Sequence, residues 1–542
     1  MWHRRSRSFA DRGATRIARD RSCIGGGAAI PEFLAIGIGI GLGLLSTDEA
    51  SADWLPEVPL TSAGIETDLG LNHTPLAYDA AGGLIVAWAQ RDTPQQNFQI
   101  YARRRAWAVF DPPALIVPYP DPQPGSLLGA KFPSLAPVGD SLFVSWHDYR
   151  HGGIFNSEIY GRSLALDGGL GTQLRLTTTS NGENPGDNGY VPTAIPAGTD
   201  LHVVWYDYRW DPNRADVFAK RRLPSGAWIT ALGDSADVNV SRGVVAGYSA
   251  GAPAIAGAAD GSLHLAWVET QSGEYRLRYA RFVPLSGWVT PVTVHTQSAL
   301  LEAPTAALDP VGTLHVVWVD GRAGGNALWV RSRPAGGSFG SELALTSPAA
   351  DAGDPCLIST ADGALHLVWQ DARVDLLNRE IFYRRRAPGM PWDVSSATDI
   401  RLTTANGRSD RPSMTADRST PANLAVAWRD RRSGVSEIYL REFRPGGPIG
   451  VPDVPGSVDG AGSAASSWFV LGPNPGSGGV TFRAAASEPI AVRDVKGRLL
   501  RRLAPGAQLW DGRDASGRLL PAGVYFLAGT ITSRTDRVVR LR

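Results

Sequence analysis

One stretch recurs seven times along the chain and restricts what it can fold into. Its clearest copy is Leu365-His366-Leu367-Val368-Trp369-Gln370-Asp371-Ala372-Arg373, followed by Glu380-Ile381-Phe382-Tyr383-Arg384-Arg385. The shared pattern is L-H-h-h-W-x-D-x-R and then E-I-Y-x-R, where h is apolar. The tryptophans are Trp88, Trp146, Trp205, Trp267, Trp318, Trp369 and Trp428, with neighbours 51–62 residues apart. A proline leads each copy (Pro75, Pro133, Pro192, Pro253, Pro304, Pro355 and Pro412), always 13–16 residues ahead of its tryptophan. Such a period marks a repeat architecture: each copy is one supersecondary unit that buries its apolar face only against its neighbours.

The local pattern within each copy is β. The run before each Trp is rich in Val, Leu and Ile and bounded by turn residues, which is a strand signal. E-I-Y-x-R alternates apolar and polar and reads as a second, half-buried strand. The small apolar segment after each Pro, such as Pro192-Thr193-Ala194-Ile195, suits an inner strand. A fourth short strand precedes the Pro, as at Leu174-Arg175-Leu176-Thr177, Leu343-Ala344-Leu345-Thr346 and Ile400-Arg401-Leu402-Thr403. The same signature appears once before the first copy, at Val58-Pro59-Leu60-Thr61, and is missing after the last E-I-Y strand. The expected fold is therefore all-β: a seven-bladed β-propeller over residues 55–445, with the N-terminal strand completing the last blade. Ring closure of this kind removes exposed sheet edges. The W-x-D-x-R…E-I-Y units resemble those of secreted bacterial seven-bladed propellers loosely related to sialidases, over about 390 residues. That resemblance implies an architecture and not an activity.

The segment before the repeats reads as an export signal. Seven arginines in residues 1–32 precede an apolar run, Phe33 to Leu45, of about 13 residues, short for a membrane span. Ala50-Ser51-Ala52 has the small-x-small form of a signal-peptidase site, so residues 1–52 are expected to be removed after Ala52. Processing would leave no stable membrane span. Without those residues the formal charge of +1 falls to near −1, which gives no reason to expect a nucleic-acid partner. It would also leave Cys356 without an internal disulfide partner, since Cys23 is the other cysteine.

After the repeats, residues 446–466 are rich in Gly, Pro, Ser and Ala and read as a flexible linker. Residues 467–542 then carry short alternating strands and Gly turns, the pattern of a small β-sandwich. Trp510-Asp511-Gly512-Arg513-Asp514-Ala515-Ser516-Gly517-Arg518, with Pro521-Ala522-Gly523-Val524-Tyr525, resembles the FlgD-type immunoglobulin-like domain and the C-terminal sorting domains of type IX secretion substrates. The resemblance implies sorting or surface attachment, with secretion machinery as a partner.

A residue pair that returns in five of the seven copies serves the fold before it serves a ligand. Asp148/Arg150, Asp207/Arg209, Asp320/Arg322, Asp371/Arg373 and Asp430/Arg432 are read this way. Function is sought where copies differ. The second and third copies read Asp148-Tyr149-Arg150-His151 and Asp207-Tyr208-Arg209-Trp210, and the loop leading into the third holds Glu183, Asp187, Asn188 and Tyr190. Aromatic faces beside Arg and carboxylates suit a sugar. The candidate ligand site is thus Tyr149, Arg150, His151, Asp187, Tyr190, Tyr208, Arg209 and Trp210. Tyr190 and Tyr248 are the nucleophile candidates if the chain hydrolyses glycosides as sialidases do, with a Tyr nucleophile. His202, His264, His315 and His366 fill one repeated position, which argues for packing, and no metal site is expected. Asn181, Glu183, Asp187 and Asn188 carry Ca²⁺-type donors but lack a defined ligand spacing, so no cofactor is expected. The reading is an exported protein that binds a glycan or a surface protein without catalysis. A sialidase-like glycoside hydrolase and a structural surface component are its alternatives.

Overall fold

The computed structural model describes residues 54–445, apart from 63–64, 70–74, 81, 92–96, 107–108, 119–128, 151–156, 166, 178–188, 210–213, 230–236, 242–247, 376 and 420. It also describes 469–540, apart from 473–479, 484–489, 495–497, 504–508 and 530–534. The expected signal segment with Ala52, and the linker, lie outside the described residues.

Among the described residues up to Phe443, the strands assemble into seven antiparallel sheets, one per tryptophan copy. In the sixth sheet, Gly353–Ser359 pairs Leu365–Asp371, which pairs Glu380–Arg386, which pairs Ile400–Arg401. The other sheets repeat this order, with extra edge strands in the first, third and fourth. In the seventh, the outer place after Glu437–Phe443 is filled by Val58–Pro59, with Val58 opposite Leu440 and Pro59 opposite Tyr439. The first strand of each sheet neighbours that of the next. Leu76–Tyr78 of the first sheet lies beside both Ala130–Val138 of the second and Ser409–Ala416 of the seventh. The architecture is all-β and propeller-like.

The period of two along each second strand explains the core. Leu365, Leu367 and Trp369 face one neighbouring sheet and pack with Val317, Val319 and Leu328, while Val368 joins Met414, Val426 and Trp428 on the other side. Each second strand is therefore buried on both faces, and all seven tryptophans are fully buried. At the closure, Leu60 packs with Leu84, Val86 and Trp88 of the first sheet and with Ile438 and Leu440 of the seventh.

The C-terminal unit has two antiparallel sheets. One orders Phe469–Gly472, Val480–Arg483 and Leu509–Trp510; the other orders Leu499–Leu503, Ile490–Asp494, Gly523–Gly529 and Thr535–Arg540. Ile490, Val492, Trp510, Tyr525 and Leu527 form its core. Its W-D-G-R-D-A-S-G-R motif is a turn device. The Trp510 indole N–H donates to the Arg513 carbonyl at 2.9 Å, and the Asp514 carboxylate accepts from the Ser516 and Arg518 amides. The Tyr525 hydroxyl donates to the Pro521 carbonyl at 2.7 Å.

Candidate functional site

The constant residues of the repeat form an anchor inside each sheet. In the sixth, the Trp369 indole donates to Asp371 Oδ2 at 2.9 Å, and the Arg373 amide donates to Asp371 Oδ1 at 2.8 Å. The Arg373 guanidinium turns back onto Asp371, reaches Asp399 at 2.7 Å, and lies over the Phe382 ring at 4.5 Å. This arrangement explains the spacing W-x-D-x-R and the aromatic in E-I-Y. Asp371 is wholly buried, so its charge requires the donors that surround it. The second, third, fifth and seventh sheets repeat the indole–carboxylate bond at 2.9–3.1 Å.

The repeated histidines serve packing as well. His264 and His366 each hold a tyrosine hydroxyl at 2.8 Å, and burial pulls both imidazoles down to about 4. Among the described residues no group of three or more His, Cys, Asp or Glu could hold a metal ion. Asn181, Glu183, Asp187 and Asn188 lie outside the described residues.

Variation is concentrated at the end where the first strands begin. Six first strands carry a β-bulge there, between Lys131 and Ser134, Tyr190 and Thr193, Gly251 and Ala254, Glu302 and Thr305, Gly353 and Cys356, and Asp410 and Ser413. Phe132, Val191, Ala303, Asp354 and Arg411, each just before its Pro, sit in the left-handed region at φ 44° to 54°. A bulge inserts one residue and re-aims the side chains around it. Opposite each bulge stands the residue between Trp and Asp on the second strand: His147, Tyr206, Val268, Val319, Gln370 and Arg429. These positions range over His, Tyr, Val, Gln and Arg, while the residue before is always Trp and the residue after is Asp in five of the six and Glu269 in the fourth sheet.

At the second and third sheets the rim is aromatic. Tyr190 stacks on Tyr206 with centroids 5.5 Å apart and meets Tyr208 edge-on at 5.9 Å. His147 meets Phe132, Tyr149 and Tyr190 edge-on at 4.7, 4.9 and 5.6 Å. The Tyr149 hydroxyl is hydrogen-bonded to that of Tyr190. Burial raises the pKa of all four tyrosines, so they act as neutral phenols. His147 is 1 % exposed with neither ring nitrogen hydrogen-bonded, and burial and then Lys131 pull it down to about 3.

At the seventh and first sheets the rim is charged but paired. Arg411 reaches both Asp68 oxygens at 2.7 and 2.9 Å, and Arg429 forks onto Asp410 at 2.6 and 2.9 Å. The Lys131 ammonium lies 4.2 Å over the Phe98 ring. The first strands enclose a cavity of ≈ 970 Å³, with Tyr206, Glu302 and Asp354 in its lining.

Of the residues singled out from sequence, the structure brings together Tyr149, Tyr190 and Tyr208. Arg150 and Arg209 belong to the anchors instead. Arg150 holds Asp148 and Gln173 and covers the Tyr160 ring; Arg209 holds Asp207 and Asp237 and covers the Phe218 ring. Their guanidinium groups are committed because the Asp two residues earlier is buried and needs them. His151, Asp187 and Trp210 lie outside the described residues. Tyr248 donates to Glu274 at 2.8 Å, with Arg276 4.0 Å over its ring. Tyr206, His147, Glu302 and Asp354 were not singled out. The signal that finds them is position: the residue inside W-x-D and the pair ahead of the Pro.

No family model matches the chain, and no curated protein matches it. Solved structures similar to it include a puromycin hydrolase at 12 % identity and TM-score 0.44, covering 87 % of this chain. This chain spans 61 % of that enzyme's length. A neuraminidase-like protein of subtype N10 from A/little yellow-shouldered bat/Guatemala matches at 9 % identity and TM-score 0.38, over 58 % of this chain and 95 % of its own. A Penicillium chrysogenum α-L-arabinanase matches at 14 % identity and TM-score 0.39, over 59 % of this chain and 94 % of its own.

Proposed function

We propose that this is an exported protein whose seven sheets are the blades of a β-propeller latched by its first strand, followed by an immunoglobulin-like sorting or attachment domain. Its function is non-catalytic binding of a glycan at the rim where the first strands begin. The tyrosine wall carries this reading. Tyr149, Tyr190, Tyr206 and Tyr208 converge from two adjacent sheets, and rigid amphipathic rings suit the C–H faces and hydroxyls of a sugar. Glycan-array binding, with release of reducing sugar measured on every glycan that binds, tests it. The expected result is binding lost in Tyr190→Ala and Tyr206→Ala, with no sugar released. Binding that survives both substitutions refutes the site.

The second reading is glycoside hydrolysis, and the Tyr248–Glu274 hydrogen bond is the observation that favours it. A Tyr nucleophile must lose its proton. Burial and the bond to Glu274 raise the Tyr248 pKa, and burial raises that of Tyr190. Either tyrosine would therefore need a base to take its proton, which Tyr248 has in Glu274, but no second carboxylate is bonded to that pair among the described residues, and binding is the better-supported function. Sugar release abolished by Tyr248→Phe would reverse that order.

A further inference from the structure

Formal charge is divided unevenly along the chain. Residues 53–445 carry 34 Arg and Lys against 40 Asp and Glu, a formal −6. The far shorter stretch 467–542 carries twelve against five, a formal +7. The near-zero total for the whole chain conceals this split. An excess of one sign concentrated in a small unit points to a partner of the other sign.

The structure gathers part of that excess in one place. Leu499–Leu503 is an edge strand of its sheet, and the turn after Trp510 docks beside it. The Ala515 amide donates to the Leu500 carbonyl at 2.9 Å, and Arg501 reaches Asp511 at 2.7 Å. Strand and turn bring together Arg498, Arg501, Arg502, Arg513 and Arg518 with three carboxylates, Asp494, Asp511 and Asp514. Two of the three are occupied locally, Asp494 by Arg498 and Asp511 by Arg501. Asp514 accepts from the Ser516 hydroxyl and from the Ser516 and Arg518 amides, which holds its carboxyl below the usual range. Arg513 uses one N–H on the Gly517 carbonyl at 2.8 Å. Arg502, Arg513 and Arg518 are exposed and make no ion pair with a described carboxylate. Each presents a planar fork of donors to solvent, the geometry that matches a carboxylate.

We propose that the C-terminal unit holds the protein to an acidic polysaccharide, with Arg502, Arg513 and Arg518 as the cations that meet its carboxylates. The inference rests on the attachment reading above and names the partner. The arginines stand along a strand and a turn rather than around a pocket, which suits a long polymer with an anion on each repeat. Among the described residues, the large apolar side chains exposed in this unit are Leu499 at 40 % and Leu519 at 49 %, which leaves a bilayer little to take up. Residues 53–445 share the sign of the polymer and are repelled by it, so binding runs through the C-terminal unit. Association should weaken as salt is added, because the arginines are open to solvent.

Affinity measurements at low salt compare polygalacturonate, neutral dextran, phosphatidylglycerol vesicles and duplex DNA, with the three anionic probes at equal anion concentration. The protein is the chain from residue 53 and its triple variant Arg502→Gln/Arg513→Gln/Arg518→Gln. All three positions are exposed, so the variant should keep the wild-type Tm, which is measured alongside. The expected result is binding of polygalacturonate and not of dextran, weakened about tenfold or more in the variant and by added salt. Tighter binding to the vesicles or to DNA assigns the arginines to that class and overturns the proposal. Polygalacturonate binding that the variant keeps, or binding of none of the four, overturns it as well. Retention of the chain on its producing cells is read in parallel. Equal retention of wild type and variant overturns the polysaccharide partner and leaves the attachment reading intact. Polygalacturonate binding lost in the variant, with the wild-type chain found free in the medium, upholds the arginine site and removes the attachment reading.

Discussion

Gln370 and Asp371 are adjacent residues of one strand, yet they belong to two different regions. Asp371 belongs to the anchor that every sheet repeats. Gln370 belongs to the rim, where the corresponding residues are His147, Tyr206, Val268, Val319 and Arg429. Where the anchor changes, compensation follows. The fourth sheet replaces Asp by Glu269, which still accepts from the Trp267 indole at 3.0 Å, while Arg278 on the third strand comes within 3.6 Å in place of the missing Arg. The first sheet uses Gln90, which accepts from the Trp88 indole at 2.9 Å. Rim changes show no such restoration: a histidine, a tyrosine or a valine at one position does different things. The anchor is constrained by burial; the rim positions vary without a matching change nearby.

The anchor should be the more costly to break. Asp371→Ala removes the acceptor of the buried Trp369 indole and one of the two carboxylates that hold Arg373, and should lower unfolding free energy by about 4 kcal/mol, read from urea midpoints. A loss below about 1 kcal/mol would mean that the anchor is ornamental. Leu60→Ala tests whether ring closure has comparable weight. Leu60 is fully buried and its amide donates to the Ile438 carbonyl at 2.8 Å. Truncation there should cost about 3 kcal/mol and leave the fold cooperative.

A smaller effect separates the anchor from a second repeated device. Glu158 begins the E-I-Y strand of its sheet and is bonded by Thr177 and Arg175. Burial outweighs both and pushes its carboxyl up to about 7. The folded chain therefore holds this proton more tightly than the unfolded chain does. Stability is highest below the unfolded value, near 4.5, and is lost as pH rises through about 7. Glu158→Gln should flatten that fall by an amount on the order of 2 kcal/mol, measured as Tm against pH from 5 to 8. An unchanged slope would place the titration elsewhere.

The repeat made the sheets legible because two spacings, Pro to Trp and Trp to Asp, each correspond to a contact: the bulged inner strand beside its partner, and the indole beside its carboxylate. The pairing of Val58–Pro59 with Leu440 and Tyr439 was legible for the same reason, since one strand signature was displaced to the other end of the chain. The rim was less legible. A bulge breaks the alternation from which facing is read, so Glu302 and Asp354 looked like ordinary polar residues ahead of a proline. Tyr206 was hidden inside the very motif that defines the anchor. Arg150 and Arg209 were read both ways, as partners of a repeated Asp and as ligand contacts beside a tyrosine, and their guanidinium groups lie on the buried Asp two residues back.

The smallest expected effect is the sharpest test, because it is set one residue from the largest. Gln370 is 7 % exposed, and its side-chain oxygen has no hydrogen-bond partner. An acceptor buried without a partner contributes nothing to stability by being there, and removing it relieves its desolvation while giving up some packing. Gln370→Ala should therefore change unfolding free energy by less than about 1 kcal/mol, against about 4 for Asp371→Ala, in the same urea titration. If the two substitutions cost the same, rim and anchor are one structural unit, and the variability of the rim from sheet to sheet loses its functional meaning. If Gln370→Ala is neutral, the fold does not fix the rim positions, and the differences among His147, Tyr206, Gln370 and Arg429 are open to selection for something other than stability.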